Sequence, residues 1–279
     1  MTNSKELGPG LGPDWSLNLT SKGAHHVCII FDFFVRSIFS LFNIFPVYVK
    51  KKRDIQIEYK CEVKRIVNDF TDPLGQKWPV GVELTNGKVY GCDFVVSATG
   101  VTPVTDMFTK SNEFALADDK GLKVNDRLET SLRDVYAAGD ACTASWSLAP
   151  HWFQMRLWNQ ACQMGDYVAR SMWQSDDLQL DFCFEMFAHI TKFFNFKVIL
   201  LGNYDARGLG NDYQLLLRCT PGVEYVKVVM RQGRVQGVLL IGETDLEETF
   251  ENLILNQIDV SSLGDDLINP DIDIEDYFD

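Results

Sequence analysis

The chain has 279 residues, 46% of them apolar, enough to bury the core of one or two domains, and a formal net charge of −13. That charge sits at one end: residues 1–234 carry 26 basic and 26 acidic side chains, whereas the 45 residues after Arg234 hold 13 acids and no Lys or Arg. A neutral body with an acidic end argues against nucleic-acid binding, which needs a basic surface, and leaves the end as a solvated segment or a docking tail for a basic protein partner.

Residues 8–13 read Gly-Pro-Gly-Leu-Gly-Pro, a run that cannot continue regular structure. An apolar stretch from Val27 to Val49 follows, broken by Asp32 and Arg36 and closed by Lys50, Lys51, Lys52 and Arg53. It is long enough to span a membrane, but each internal charge would cost about 2.5–3.5 kcal/mol near the bilayer centre. A membrane or interfacial segment, a core element and a segment with no role of its own all remain open, with the membrane not favoured. The run starts late and has no basic leader or small-residue cleavage site, so no secretory signal is expected.

From Ile55 the pattern sharpens. Ile55, Ile57, Tyr59, Cys61 and Val63 alternate with polar residues, the period of a half-buried strand. Val80, Val82 and Leu84 predict a second strand, and Asn86-Gly87 predicts a hairpin turn into Lys88, Val89 and Tyr90. Residues 93–100, Asp-Phe-Val-Val-Ser-Ala-Thr-Gly, then read as a buried strand of a parallel sheet, a type whose carboxyl end faces ligands. The small residues Ala98 and Gly100 would let a bulky ligand approach the backbone.

Thirty residues on, Thr130-Ser131-Leu132-Arg133-Asp134-Val135-Tyr136-Ala137-Ala138-Gly139-Asp140 predicts a short buried strand over 135–138. Gly139 then allows a tight turn that presents Asp140 before a helix. A carboxylate in that place can accept strong hydrogen bonds from sugar-alcohol hydroxyls. A helix is expected from Leu148-Ala149-Pro150 to about Trp173, with Ala161, Gly165 and Ala169 on one face. Trp146, Trp152 and Trp158 are expected in the core or in the wall of a ligand pocket.

Beyond it, Phe184, Phe187, Ile190, Phe193 and Phe194 recur at helical spacing and predict a buried helix stripe that includes His189. Strands are expected at 198–201, 215–219, 225–230 and 235–241, with turns at Pro221-Gly222 and Gln232-Gly233, and an amphipathic helix over 246–256.

Seven scattered cysteines, none in a C-x-x-C spacing, and four histidines argue against a zinc site and fit single thiols in a reducing compartment.

Ala98-Thr99-Gly100-Val101-Thr102-Pro103 followed at this distance by the run from Thr130 to Asp140 resembles the pyridine nucleotide-disulfide oxidoreductase family. Met155-Arg156-Leu157-Trp158, residues 188–195, the Ile241-to-Gln257 helix and the C-terminal Ile272-to-Asp279 segment strengthen the likeness, which covers residues 54–279 and leaves 1–53 unplaced. The resemblance implies an α/β fold of partial FAD/NAD(P)-binding Rossmann-like domains followed by an α+β interface domain. It implies a nicotinamide-nucleotide-domain remnant over 54–103, the end of an FAD domain over 104–178, an α+β domain over 179–260 and an acidic tail over 261–279.

It also implies FAD and NAD(P)H as cofactors and an electron acceptor of unspecified kind. Asp140 would bond the ribityl chain of FAD, Gly139 would permit close approach, and Ala98, Thr99 and Gly100 would line the nicotinamide-nucleotide side. The helix after the turn would point its positive end at the flavin pyrimidine ring. Cytoplasm and nucleus are the implied locations.

The sequence departs from the family in two ways. No G-x-G-x-x-G loop is present to hold a pyrophosphate, so a protein colourless on purification is expected, and there is no paired redox cysteine. No catalytic side chain is named, since in such enzymes the flavin carries the chemistry. A truncated, non-catalytic binding form is the alternative.

Overall fold

The computed structural model describes residues 27–31, 58–173, 178–193, 195–272 and 274. They fall into two compact units, one within residues 17–101 and one built mainly from residue 102 onward.

In the first unit, β1 (Val27–Phe31) runs parallel to β5 (Phe94–Ala98), in register from Val27 opposite Phe94 to Phe31 opposite Ala98. The start of the long apolar run is therefore a strand of a sheet. Residues 32–57 lie outside the described residues, and among those described no helix is long and apolar enough to cross a membrane. The parallel pairing expected of residues 93–100 is present. The expected full burial is not: Phe94, Val95 and Val96 are half-buried and Ser97 is exposed.

Beside this pair stands an antiparallel sheet of β2 (Val63–Thr71), β3 (Lys77–Leu84) and β4 (Val89–Cys92). Of the strand expected over 55–63, residues 55–57 lie outside the described residues and 58–62 form no ladder; pairing begins at Val63, opposite Leu84. The β2–β3 connection is held by Asp72, whose Oδ1 accepts from the N–H groups of Leu74 and Gln76 at 2.9 Å each. The Asn86-Gly87 hairpin forms as the sequence predicts, with Gly87 at φ +83° and Asn86 Oδ1 accepting from Lys88 N at 3.1 Å. Cys61, Val82, Leu84 and Cys92 make its core.

In the second unit, β6 (Leu122–Val124) and β7 (Cys142–Ala144) pair in parallel. They pack with Leu128, Trp152, Phe184 and the buried face of α1 (Trp158–Trp173). That face is Gln160, Met164, Tyr167 and Ser171, a helical repeat.

The C-terminal part is a five-stranded antiparallel sheet, order β10-β11-β12-β9-β8, made of β8 (Ala188–Phe193), β9 (Phe196–Gly202), β10 (Gln214–Thr220), β11 (Glu224–Arg231) and β12 (Arg234–Ile241). One face is covered by α2 (Glu247–Asn256) through Phe250, Leu253 and Ile254, against Val226, Val228 and Leu240. The four strands and the closing helix agree with the sequence pattern.

The stripe over 184–194 does not, as far as Phe193; Phe194 lies outside the described residues. Phe182–Phe184 is a single 3-10 turn and residues 188–193 are a strand. Phe184 and Phe187 leave the chain to meet other aromatics: Phe184 lies 5.6 Å from Trp152, and Phe187 stacks on Phe153 at 4.1 Å. Ile190, assigned to the buried stripe, is 62% exposed. His189 is half-buried on the edge strand, where burial pulls its imidazole below its usual range.

Candidate functional site

Residues 135–138, expected to be a strand, run extended with a single bridge from Tyr136 to Glu129. The regular strand comes after the turn, as β7. Between them Gly139–Ala141 forms a 3-10 turn with Gly139 at φ +71°, a left-handed angle that glycine adopts without strain. A Cβ at Gly139 would stand 3.3 Å from Ala161 Cβ, so the turn is closely seated on the first turns of α1.

Asp140 is exposed, and its carboxylate accepts no hydrogen bond and forms no ion pair among the described residues. An acceptor with no protein partner, next to a glycine that lets chain and ligand approach, suits a hydroxylated chain such as the sugar alcohol of FAD. The residues present fit that portion of the group. For its pyrophosphate the sequence offers no G-x-G-x-x-G loop.

What holds this turn was not visible in the motif. Arg156 Nε donates to the Asp140 carbonyl oxygen at 3.0 Å. Its Nη2 reaches Asp119 Oδ2 at 2.8 Å, Thr143 Oγ1 at 3.1 Å and the Cys142 carbonyl at 3.3 Å. Asp119 also accepts from Gly121 N at 3.0 Å and from Thr143 Oγ1 at 2.8 Å. Burial works against its ionised form, but the Gly121 N–H, Arg156 and Thr143 together hold its carboxyl below the usual carboxylate range.

Gln154 bridges β7, donating to Cys142 O at 3.0 Å and accepting from Ala144 N at 2.9 Å. Gln160, buried on α1, accepts from Met155 N at 2.6 Å and donates to Phe153 O at 3.0 Å. Gln160 thus occupies backbone groups of residues 153 and 155. The helix accordingly starts at Trp158 and not at 148.

Cys142 is fully buried under the turn, and burial pushes its thiol up to about 12, which makes it a packing group and not a nucleophile. Of the three tryptophans, Trp146 and Trp152 stack at 5.7 Å inside the unit, whereas Trp158 is 86% exposed and belongs to no core. In the Ala161, Gly165 and Ala169 stripe only Ala161 has its close neighbour, at Gly139; nothing lies within 4 Å of a Cβ built on Gly165, and Ala169 is exposed.

A pocket of about 170 Å³ lined by Gln160, Gln163, Cys183, Met186 and Glu251 does not include Gly139 or Asp140. No metal-ligand cluster occurs among the described residues.

In the first unit, Ala98 ends β5 half-buried while Thr99 and Gly100 are exposed beyond it, with Gly100 at φ +88°. Ser97 and Thr99 share a hydrogen bond of 3.3 Å between their hydroxyls.

Residues 47–165 match the family described as pyridine nucleotide-disulphide oxidoreductase. The chain is 52% identical to the human pyridine nucleotide-disulfide oxidoreductase domain-containing protein 1, with the match spanning 100% of this chain and 55% of that protein. The likeness thus reaches residues 1–53, which the motifs alone leave unplaced. The chain spans about half the length of the curated relatives it matches.

Among solved structures, an NAD-dependent persulfide reductase from A. fulgidus aligns with a TM-score of 0.64 at 17% identity, covering 88% of this chain and 51% of that one. A putidaredoxin reductase, solved in covalent complex with putidaredoxin, aligns with a TM-score of 0.64 at 13% identity, covering 91% and 64%. These likenesses agree on the fold: mixed α/β, of the Rossmann-like type found in FAD- and NAD-binding oxidoreductases.

Proposed function

The chain belongs to the pyridine nucleotide-disulphide oxidoreductase family, and from that premise we propose that it supplies the flavin-ring half of an FAD-dependent oxidoreductase that uses NAD(P)H. The observation that carries this reading is the Gly139–Asp140 turn: an exposed carboxylate without a partner among the described residues, beside a positive-φ glycine seated against α1. Asp140 accepts hydrogen bonds from the ribityl hydroxyls, and Gly139 keeps the approach open. The start of α1 at Trp158 lies against the same turn through Ala161, so its partial positive charge favours electron density gathering nearby. Ala98, Thr99 and Gly100 serve the nicotinamide nucleotide, their small side chains leaving the backbone accessible. Bound flavin would supply the hydride-accepting chemistry, the protein's part being to bind and orient it. The electron acceptor is a separate redox partner of unspecified kind.

The missing pyrophosphate loops favour a second reading, a binding form without cofactor. One titration separates the two. FAD is added to the purified chain and to Asp140→Asn while flavin fluorescence is followed. Saturable binding by the native chain, weakened about tenfold or more in the variant, supports the flavin site, since a hydrogen bond to a charged group contributes roughly 1.5–3 kcal/mol. No saturable binding by the native chain overturns it in favour of the second reading.

A further inference from the structure

We propose that Arg156 is the positioning residue of the candidate flavin site, fixing the peptide that presents the Asp140 carboxylate; the inference rests on the reading of Asp140 as a flavin contact. Four acceptors converge on one guanidinium: Asp140 O at 3.0 Å, Asp119 Oδ2 at 2.8 Å, Thr143 Oγ1 at 3.1 Å and Cys142 O at 3.3 Å. Two of these are main-chain carbonyls, one inside the turn and one just after it, so the arginine fixes the course of the backbone and leaves the Asp140 carboxylate free.

Its side chain is only 15% exposed, and charge-assisted hydrogen bonds that sheltered hold more firmly than in open water. Asp119 anchors the fork from the other side, itself tied to Gly121 N and Thr143. The turn therefore cannot slide along α1 without breaking Arg156 either from the carbonyls of Asp140 and Cys142 or from the Asp119 carboxylate. An exposed carboxylate on an untethered loop would sample many directions, and ordering it on binding would cost affinity. The arginine orders it beforehand. A lysine keeps the charge but delivers it as a point, so it cannot span Asp140 O and Asp119 together.

The test is a double-mutant cycle on FAD affinity in the full chain, read by flavin fluorescence, with thermal unfolding recorded for each variant. Arg156→Lys is expected to weaken FAD binding about tenfold in the native background and by less than about twofold with Asp140→Asn present, because the effect passes through that carboxylate. Equal weakening in both backgrounds, or none in either, overturns the proposal, the first by showing a merely structural role. If the native chain shows no saturable FAD binding, the functional reading fails. The positioning role is then read from amide hydrogen exchange: faster exchange in Arg156→Lys confined to residues 139–144 supports it, and unchanged exchange there overturns it.

Discussion

A Cβ placed on Gly139 would stand 3.3 Å from the Cβ of Ala161. Glycine is required at this turn twice over, by its φ of +71° and by the helix at its back. Gly139→Ala should therefore lower stability by about 1–2 kcal/mol, most of it from the left-handed backbone. Measured against Ala161→Gly alone, which itself costs the helix about 0.5–1 kcal/mol, adding Gly139→Ala should cost less by the contact share only, since the angle stays strained. Urea denaturation of the single and double variants measures both parts. An unchanged midpoint in Gly139→Ala would mean that the turn relaxes freely, and the close seating would carry no energy.

Lys227 makes a different kind of prediction. It lies on the interior strand β11 between Leu217 and Leu239, is 1% exposed, and makes no hydrogen bond or ion pair among the described residues. Burial draws its amine down to about 8, with the Asp205 carboxylate opposing the shift. Holding that charge in the fold costs stability, and Lys227→Met should stabilise the chain at neutral pH by about 1–3 kcal/mol.

The sign with pH follows. The folded chain binds this proton less tightly than the unfolded chain, so between about 8 and the ordinary lysine value of 10.5 the unfolded state alone holds it. Native stability thus gains with rising pH across that window, and the advantage of methionine shrinks. Thermal melts of both chains at pH 7 and pH 10 check this; a difference that grows with pH would refute it.

Much of the C-terminal unit was legible because its strands are short runs of aliphatic residues, buried nearly throughout in β9, β11 and β12, and the turns between them carry glycine. The hairpin at Asn86-Gly87 and the existence of α1 were legible for the same local reasons. Phe184 and Phe187 misled because their spacing of three serves tertiary stacking on Trp152 and Phe153, and not a helical stripe. The Gly139–Asp140 turn was legible as a motif, but its clamp was not. Arg156 finds Asp119, Asp140 and Cys142 at separations of 37, 16 and 14 residues, which no local pattern encodes. The one available signal was Arg156 within the Met155-to-Trp158 string.

If the flavin carries the electrons, the thiols need not be reactive, and their burial says which are not. Cys61, Cys92 and Cys142 are buried, and Cys142 is pushed up to about 12. Burial also raises Cys183, to about 11. Brief alkylation of the native chain with iodoacetamide near pH 8, followed by peptide mass mapping, should label Cys162 and Cys219, the exposed pair among the cysteines whose burial is described, well before Cys183. The buried three should react only on unfolding. Rapid labelling of Cys142 would show the turn above it opening, and with it the site.

One substitution at two glycines should move stability in opposite directions. At Gly237, on β12, a Cβ would sit 2.3 Å from the carbonyl carbon of Asn203 and 2.4 Å from Tyr204 N. Neither is a flexible side-chain end, and Asn203 N is tied to Gln236 O at 2.8 Å, so the crossing chain must be displaced. Gly237→Ala should cost about 3 kcal/mol or more, at the upper end of overpacking losses. At Gly165, inside α1, nothing lies within 4 Å of the added carbon, and alanine in a helix interior gains about 0.5–1 kcal/mol over glycine. A midpoint that rises for Gly165→Ala and collapses for Gly237→Ala is the expected pair. Should Gly165→Ala instead destabilise the chain, another surface must press on that helix face, and the small-residue stripe from Ala161 to Ala169 would regain the packing role that the sequence suggested.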